Sequence, residues 1–349
     1  MADFVPKDDF YTPANTETVK FRLNLIKKYP TYIKTKQVNN HIFDQKRSFQ
    51  LTKRSNFTAN GAIAKIIEYR QDEILFSTHR GDVSSYNLDT SEYKILYNHN
   101  NTRTSAIAYI STGDLIASGA QDGTLLLNKS GAMTQSPVHK ERIVDVCSLN
   151  YSSNNLITIS QDKTWSLHDL NNLSTILYKQ DGYTSGLSAM SVSEYDHLLV
   201  TATLDEIQMH DLRSGSLLGR SKNMDKEPCH AMKLLGNNHT LVTGGQGKLK
   251  IFDLRKININ GINDCLIDEK LVHQGNLVTS IDFKDDVLVS TGFKNASVEI
   301  NTLKNGFIQN INENRESMSI VGDKLLTSKI LNNGQILSAG FNSKINFIY

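Results

Sequence analysis

Apolar residues in this chain come in short runs, and the runs arrive in pairs separated by a tight polar turn. Leu115–Asn128 shows the unit: Leu-Ile-Ala-Ser-Gly-Ala, then Gln-Asp-Gly, then Thr-Leu-Leu-Leu-Asn. Apolar, β-prone flanks around an Asp-Gly pair predict an antiparallel hairpin. Asp122 and Gly123 are the residues that tolerate the positive φ of a type I′ turn. The unit recurs: Leu156–Asp169 has Asp162 at the turn, Leu199–Asp211 has Asp205, Leu241–Asp253 has Gly247 and Leu75–Leu88 has Gly81. Weaker copies run from Leu288 to Thr302 and from Ile336 to Tyr349.

A hydroxyl residue ends the apolar pair before each turn, at Ser77, Ser118, Thr158, Thr201, Thr243, Ser290 and Ser338, with intervals of 41, 40, 43, 42, 47 and 48 residues. Seven copies at that period, each about four strands long, predict an all-β fold: a seven-bladed β-propeller of four-stranded antiparallel blades. The first blade begins near residue 61, blade two has a weak outer strand in Lys129–Pro137, and blade five carries an insertion over Ile257–Asp264. The chain stops at Tyr349, after the third strand of the seventh copy. An open sheet edge is an aggregation hazard, so a strand from elsewhere should cover it. Phe49 and Leu51 alternate with Ser48, Gln50 and Thr52, and Arg47–Thr52 is expected to fill that place beside Ile345–Tyr349. The expected organisation is an N-terminal arm over 1–46 and a propeller over 47–349.

Charge changes the picture only at the front. The chain as a whole is +2, but residues 17–54 carry ten bases against Glu17 and Asp44. Lys20, Arg22, Lys27, Lys28, Lys34, Lys36, Lys46 and Arg47 make the arm a candidate partner-binding segment, for an acidic protein surface or for nucleic-acid phosphates. Within it, Thr18–Tyr29 fits an amphipathic strand and an amphipathic helix equally. No apolar run reaches the ~18 residues of a membrane helix, and the N-terminus lacks the pattern of a signal peptide. Cys147, Cys229 and Cys265 show neither metal-ligand spacing nor enough partners for a disulfide framework. The expectation is a nuclear or cytoplasmic protein, not a secreted one, with no membrane partner.

At blade three the pattern becomes specific. His139 precedes Ile143-Val144-Asp145-Val146, Thr158 stands in the second strand, Asp162 at the turn, and His168-Asp169 ends the third strand. This resembles a WD repeat, in which His, Ser/Thr, turn Asp and a Trp-Asp pair form a hydrogen-bonded network that pins each blade. The resemblance implies that structural role for His139, Thr158 and Asp162, with His168 at the Trp position. Elsewhere the match is thinner. His210-Asp211 and Phe252-Asp253 replace Trp-Asp in blades four and five, and Trp165, the one Trp, lies inside a strand. Asp211-Leu212-Arg213 and Asp253-Leu254-Arg255 resemble the Trp-Asp-x-Arg box of receptors for cullin ubiquitin ligases, which would make Arg213 and Arg255 adaptor contacts.

No catalytic constellation emerges. Gly244-Gly245-Gln246-Gly247-Lys248 looks like a phosphate loop, but Val242 occupies the first glycine position, no hydroxyl follows Lys248, and the stretch coincides with a blade turn. Ten histidines are scattered without metal-site spacing. The expected function is a non-catalytic scaffold subunit of a multiprotein assembly that binds other protein subunits through its faces and its arm, a ribonucleoprotein setting being compatible with the basic arm. No cofactor, metal or small-molecule substrate is expected. The alternatives are a ubiquitin-ligase substrate receptor and a direct RNA- or DNA-binding propeller.

Overall fold

A computed structural model describes residues 51–149, 154–193, 197–204, 206–222, 228–236, 239–256, 265–304, 307–310, 318–319 and 324–348. The 1–46 arm, Arg47–Gln50 and the blade-five insertion lie outside the described residues. Seven antiparallel sheets succeed one another along the chain, and in the first six the four main strands lie in sequence order. The inner strands are Ile63–Arg70, Thr104–Ile110, Ile143–Ser148, Ala189–Ser193, Ala231–Leu234, Val278–Lys284 and Leu325–Ile330. Each packs against the inner strand of the next blade, and that of blade seven against that of blade one. The ring is therefore closed, a seven-bladed propeller as the repeat period predicts.

The closing strand is Leu51–Arg54, antiparallel to Ile345–Ile348, with Leu51 opposite Ile348, Lys53 opposite Phe347 and Arg54 opposite Asn346. Ser55 extends the pairing: its N–H donates to the Ile345 carbonyl (2.8 Å), and its hydroxyl accepts from the Ile345 N–H (3.1 Å). Blade seven thus gains its fourth strand from the front of the chain. Blade two does form an outer strand, Ala132–Pro137, which lies largely exposed on the rim. Blade six carries an extra two-residue piece, Met318–Ser319, paired with Ser297–Val298.

The apolar pairs of the second strands now have a physical reason. Successive side chains of a strand point to opposite faces, and a blade has another blade on each face. Ile74 and Phe76 pack with Leu337, Ala339 and Phe347 of blade seven, while Leu75 packs with Ile107 and Leu126 of blade two. Both faces are dry, so the strand reads as a continuous apolar run and not as an alternation. The seven ruler hydroxyls all sit in these second strands and are all buried.

The turns differ from the type I′ expectation. Only Gly123 takes a positive φ (82°), and its N–H donates to the Ala120 carbonyl (3.3 Å). Three residues, not two, connect the strands, and the left-handed residue comes last. Asp122 instead accepts from the Thr124 N–H (3.0 Å) and hydroxyl (2.6 Å). Gly81 (φ 92°) repeats the arrangement, and Gly247 (φ 71°) ends a like three-residue connection with its N–H on the Gly245 carbonyl (3.0 Å), so the glycine-rich stretch at 244–248 is a blade turn. In blade three Lys163 holds that conformation without being glycine (φ 68°) and is exposed. Left-handed backbone costs an L-residue about 1 kcal/mol. Lys163→Gly is therefore expected to stabilise the protein by about that amount, read as a raised denaturant midpoint at constant slope; a lowered midpoint would refute it.

Candidate functional site: polar pins and the upper mouth of the channel

In blade three the structure brings His139, Thr158, Asp162 and His168 together. His139 Nδ1 lies 3.1 Å from the Asp162 carboxylate, His139 Nε2 lies 2.7 Å from Thr158 Oγ1, and Thr158 Oγ1 lies 2.8 Å from His168 Nε2. The donor order follows from what each group can do. Asp162 only accepts, so His139 Nδ1–H donates to it, and its Nε2 must then accept from the Thr158 hydroxyl. Thr158 is left to accept from His168 Nε2–H. An indole at this position would supply the same single donor. Imidazole brings a second nitrogen, and His168 Nδ1 finds no partner among the described residues. Burial holds the His168 imidazole down at about 3, and burial lowers His139 as well, with the Asp162 carboxylate opposing. Both are neutral at pH 7.

Equivalent pins occur in blades where the sequence pattern is obscure. In blade two His99 Nε2 meets Ser118 Oγ at 2.6 Å, and the Tyr97 hydroxyl reaches the same Ser118 at 2.9 Å. In blade four Tyr183 replaces the histidine and bonds both Thr201 Oγ1 and His210 Nε2 at 2.8 Å. In blade six His273 Nε2 meets Ser290 Oγ at 2.9 Å, and its Nδ1 meets Ser297 Oγ at 2.5 Å. The signal that finds them is an offset: His99, His139, Tyr183 and His273 each precede their ruler hydroxyl by 17 to 19 residues. In blades one and seven the ruler hydroxyls Ser77 Oγ and Ser338 Oγ have no partner among the described residues.

The inner strands enclose an axial channel of about 630 Å³. A belt of charges crosses its wall. Lys65 of blade one pairs with Asp145 of blade three at 3.0 Å. Asp282 of blade six receives Lys233 of blade five and Lys329 of blade seven, both at 3.0 Å, together with the Ile330 N–H at 2.9 Å. Burial alone would raise the Asp282 carboxyl, but Lys233 and Lys329 outweigh it and hold the group far below the usual carboxylate range. Asp282 thus ties three blades. Removing one partner of a buried pair costs about 3–5 kcal/mol. Asp282→Asn is expected to lower stability by about 3 kcal/mol, measured by denaturant titration at pH 7; a loss below about 0.5 kcal/mol would refute the assignment.

The upper mouth lies on the face that carries the turns between second and third strands. Its rim is a set of repeat-equivalent positions just ahead of each inner strand: Ala62, Arg103, Arg142, Ser188, His230, Leu277 and Lys324. Outside these lies a second set, donating its N–H groups to the first: His79 to Ala62, Gln121 to Arg103, Gln161 to Arg142, Phe293 to Leu277 and Phe341 to Lys324. The same backbone thus carries different chemistry around the ring. Blades two and three present Arg103 and Arg142. Blades six and seven present Phe293 and Phe341, whose rings meet edge to face at 5.9 Å, with His79 of blade one against Phe341 at 5.5 Å. Phe341 and Leu204 stay about half exposed, at 49% and 46%.

Arg142 reaches across to blade two, where its Nε–H donates to Ser105 Oγ at 3.2 Å. Burial, and then the proximity of Arg103, lower its guanidinium to about 10. Neither arginine has a carboxylate within 4.0 Å among the described residues, although Glu141 lines the same mouth. Burial, followed by the two arginines, holds His79 down at about 4. Arg103 Nε and His79 Nε2 are buried and unpartnered among the described residues.

The other candidates fall elsewhere. Arg213 and Arg255 follow the third strands of blades four and five, on the opposite face. Arg255 is held by Asp253 through two bonds of 2.9 and 2.8 Å, so its guanidinium fork is engaged locally. Lys20, Arg22, Lys27, Lys28, Lys34, Lys36, Lys46 and Arg47 lie outside the described residues. Among the described residues, no group of three His, Cys, Asp or Glu side chains is disposed to hold a metal, and no helix is long and apolar enough to cross a membrane.

The fold and its pins define a seven-bladed β-propeller whose histidine–hydroxyl pins are similar to those of WD repeats. A family model, "WD domain, G-beta repeat", matches residues 90–127, which include His99, Ser118 and Asp122. Among solved structures, the WD40 β-propeller domain of Doa1 superposes with a TM-score of 0.72 at 12% identity, over 86% of this chain and 97% of that one. A chain of a mitotic checkpoint complex superposes at 0.73 with 15% identity, over 86% and 93%. A search of curated protein sequences gave no match.

Proposed function

We propose that the protein is a non-catalytic scaffold subunit of a multiprotein assembly, holding partner segments on its propeller while the basic 1–46 arm engages a second partner. The observation that carries this reading is the division of labour around the ring. Positions that build the wheel are filled with apolar side chains and pinned hydroxyls, whereas repeat-equivalent rim positions carry two arginines without a carboxylate within 4.0 Å among the described residues and the half-exposed Phe341. A rigid ring presenting variable loop residues supports simultaneous docking. Affinity capture of the tagged protein, with and without residues 1–46, tests it. Stable co-purifying subunits are expected, a subset of them lost with the arm; a monomer free of partners in both forms would overturn it. A direct nucleic-acid role would instead show as binding that weakens steeply with salt and disappears when the arm's bases are neutralised.

A further inference from the structure

The upper mouth is built for a ligand with two unlike halves. On one side Arg103 and Arg142 stand on adjacent blades with no carboxylate within 4.0 Å, and Arg103 Nε has no hydrogen-bond partner, among the described residues. Two guanidiniums brought together in a half-buried rim repel each other and stay only partly solvated, so an anion arriving between them relieves both. On the other side Phe293 and Phe341 form an apolar wall, with His79 joining the two halves: its ring touches Phe341, and its unpartnered Nε2 belongs to the same mouth as the arginines.

Resting on the scaffold reading, the geometry points to a recognition site for a phosphorylated peptide segment of a partner. Arg103 and Arg142 take one phosphate monoester, and Phe341 with Phe293 takes the neighbouring apolar side chain. A phosphate carries close to two charges at neutral pH and offers three acceptor oxygens, which matches two forked donors better than a carboxylate does. The arginines that line this mouth are Arg103 and Arg142, neither in an ion pair among the described residues, so the site neutralises a single phosphate and not a backbone tract. Lys324 lies over one face of the Phe293 ring, its Nζ 5.7 Å from the centroid.

The test uses the full chain and three degenerate peptide pools, each with leucine beside a fixed phosphoserine, serine or glutamate. Binding is read by fluorescence anisotropy. The phosphoserine pool is expected to bind at least ten-fold tighter than the serine pool, and Arg103→Gln or Arg142→Gln to remove that preference at an unchanged melting temperature. Phe341→Ala should weaken the phosphoserine pool several-fold while leaving displacement by inorganic phosphate unaltered. Equal binding of the serine or glutamate pool would overturn the inference. So would glutamine variants that fold and bind as the parent does, or a single-stranded oligonucleotide preferred over the phosphoserine pool and lost in the same variants. If partner capture persists in the glutamine variants without any phosphoserine preference, this site is refuted and the scaffold reading stands; if no partner is captured at all, the scaffold reading itself fails.

Discussion

Lowering the pH from 7 to 4 is expected to unfold the propeller in one steep transition centred near pH 5, driven by its pinning histidines. His99, His210 and His273 are held at about 4 and His168 at about 3, each by burial, against 6.5 in an unfolded chain. The folded values lie below the unfolded one, so the unfolded chain binds more protons throughout the interval between them. Stability from these groups is therefore complete above about pH 6.5 and is lost as pH falls toward 4. Each unit is worth about 1.4 kcal/mol, so each site contributes on the order of 3 kcal/mol. Two or three such terms rival the ~5–15 kcal/mol that keeps a domain folded. The Asp282 carboxylate acts in the same direction but only below about pH 4, where an unfolded aspartate begins to protonate. Unfolding free energies from denaturant titrations between pH 8 and 4.5 check this. A flat profile would refute it, whereas His273→Gln should remove about one proton from the slope.

The second large effect concerns the seam. A chain that begins at residue 56 lacks Leu51–Arg54 and Ser55, leaving the backbone edge of Ile345–Ile348 bare. Ile345, Phe347 and Ile348 are buried, and an unpaired apolar edge is a template for another chain. The shortened chain is expected to lose its cooperative thermal transition and to aggregate. A chain that begins at residue 47 keeps the seam and is expected to melt within a few degrees of the full protein. Adding a synthetic peptide of residues 47–57 to the shortened chain should restore part of the transition. A soluble 56–349 monomer with an undiminished melting temperature would show that the ring does not depend on its closing strand.

Blade count, blade order and the seam were legible in the sequence because each rests on local regularities. A buried second strand must be apolar at consecutive positions, as at Ile74-Leu75-Phe76, and a ruler hydroxyl must recur once per blade. The missing fourth strand of blade seven could be inferred by counting. The turn at Asp122-Gly123 was misjudged as a two-residue turn because composition alone does not say whether one or both residues turn left-handed. The pins were legible where they kept the family's residue types, as His139, Thr158 and Asp162 do. They were obscured where a tyrosine took the histidine's place at Tyr183, or where a hydroxyl arrived from the previous blade, as Tyr97 does. The upper mouth was not legible at all. Arg103, Arg142, His79, Phe293 and Phe341 are scattered over more than half the chain, and each alone looks like a solvated loop residue. Sequence determines which side chains alternate along one strand; only closure of the ring brings the starts of seven strands to one rim and sets Arg103 and Arg142 on adjacent blades with no carboxylate within 4.0 Å among the described residues.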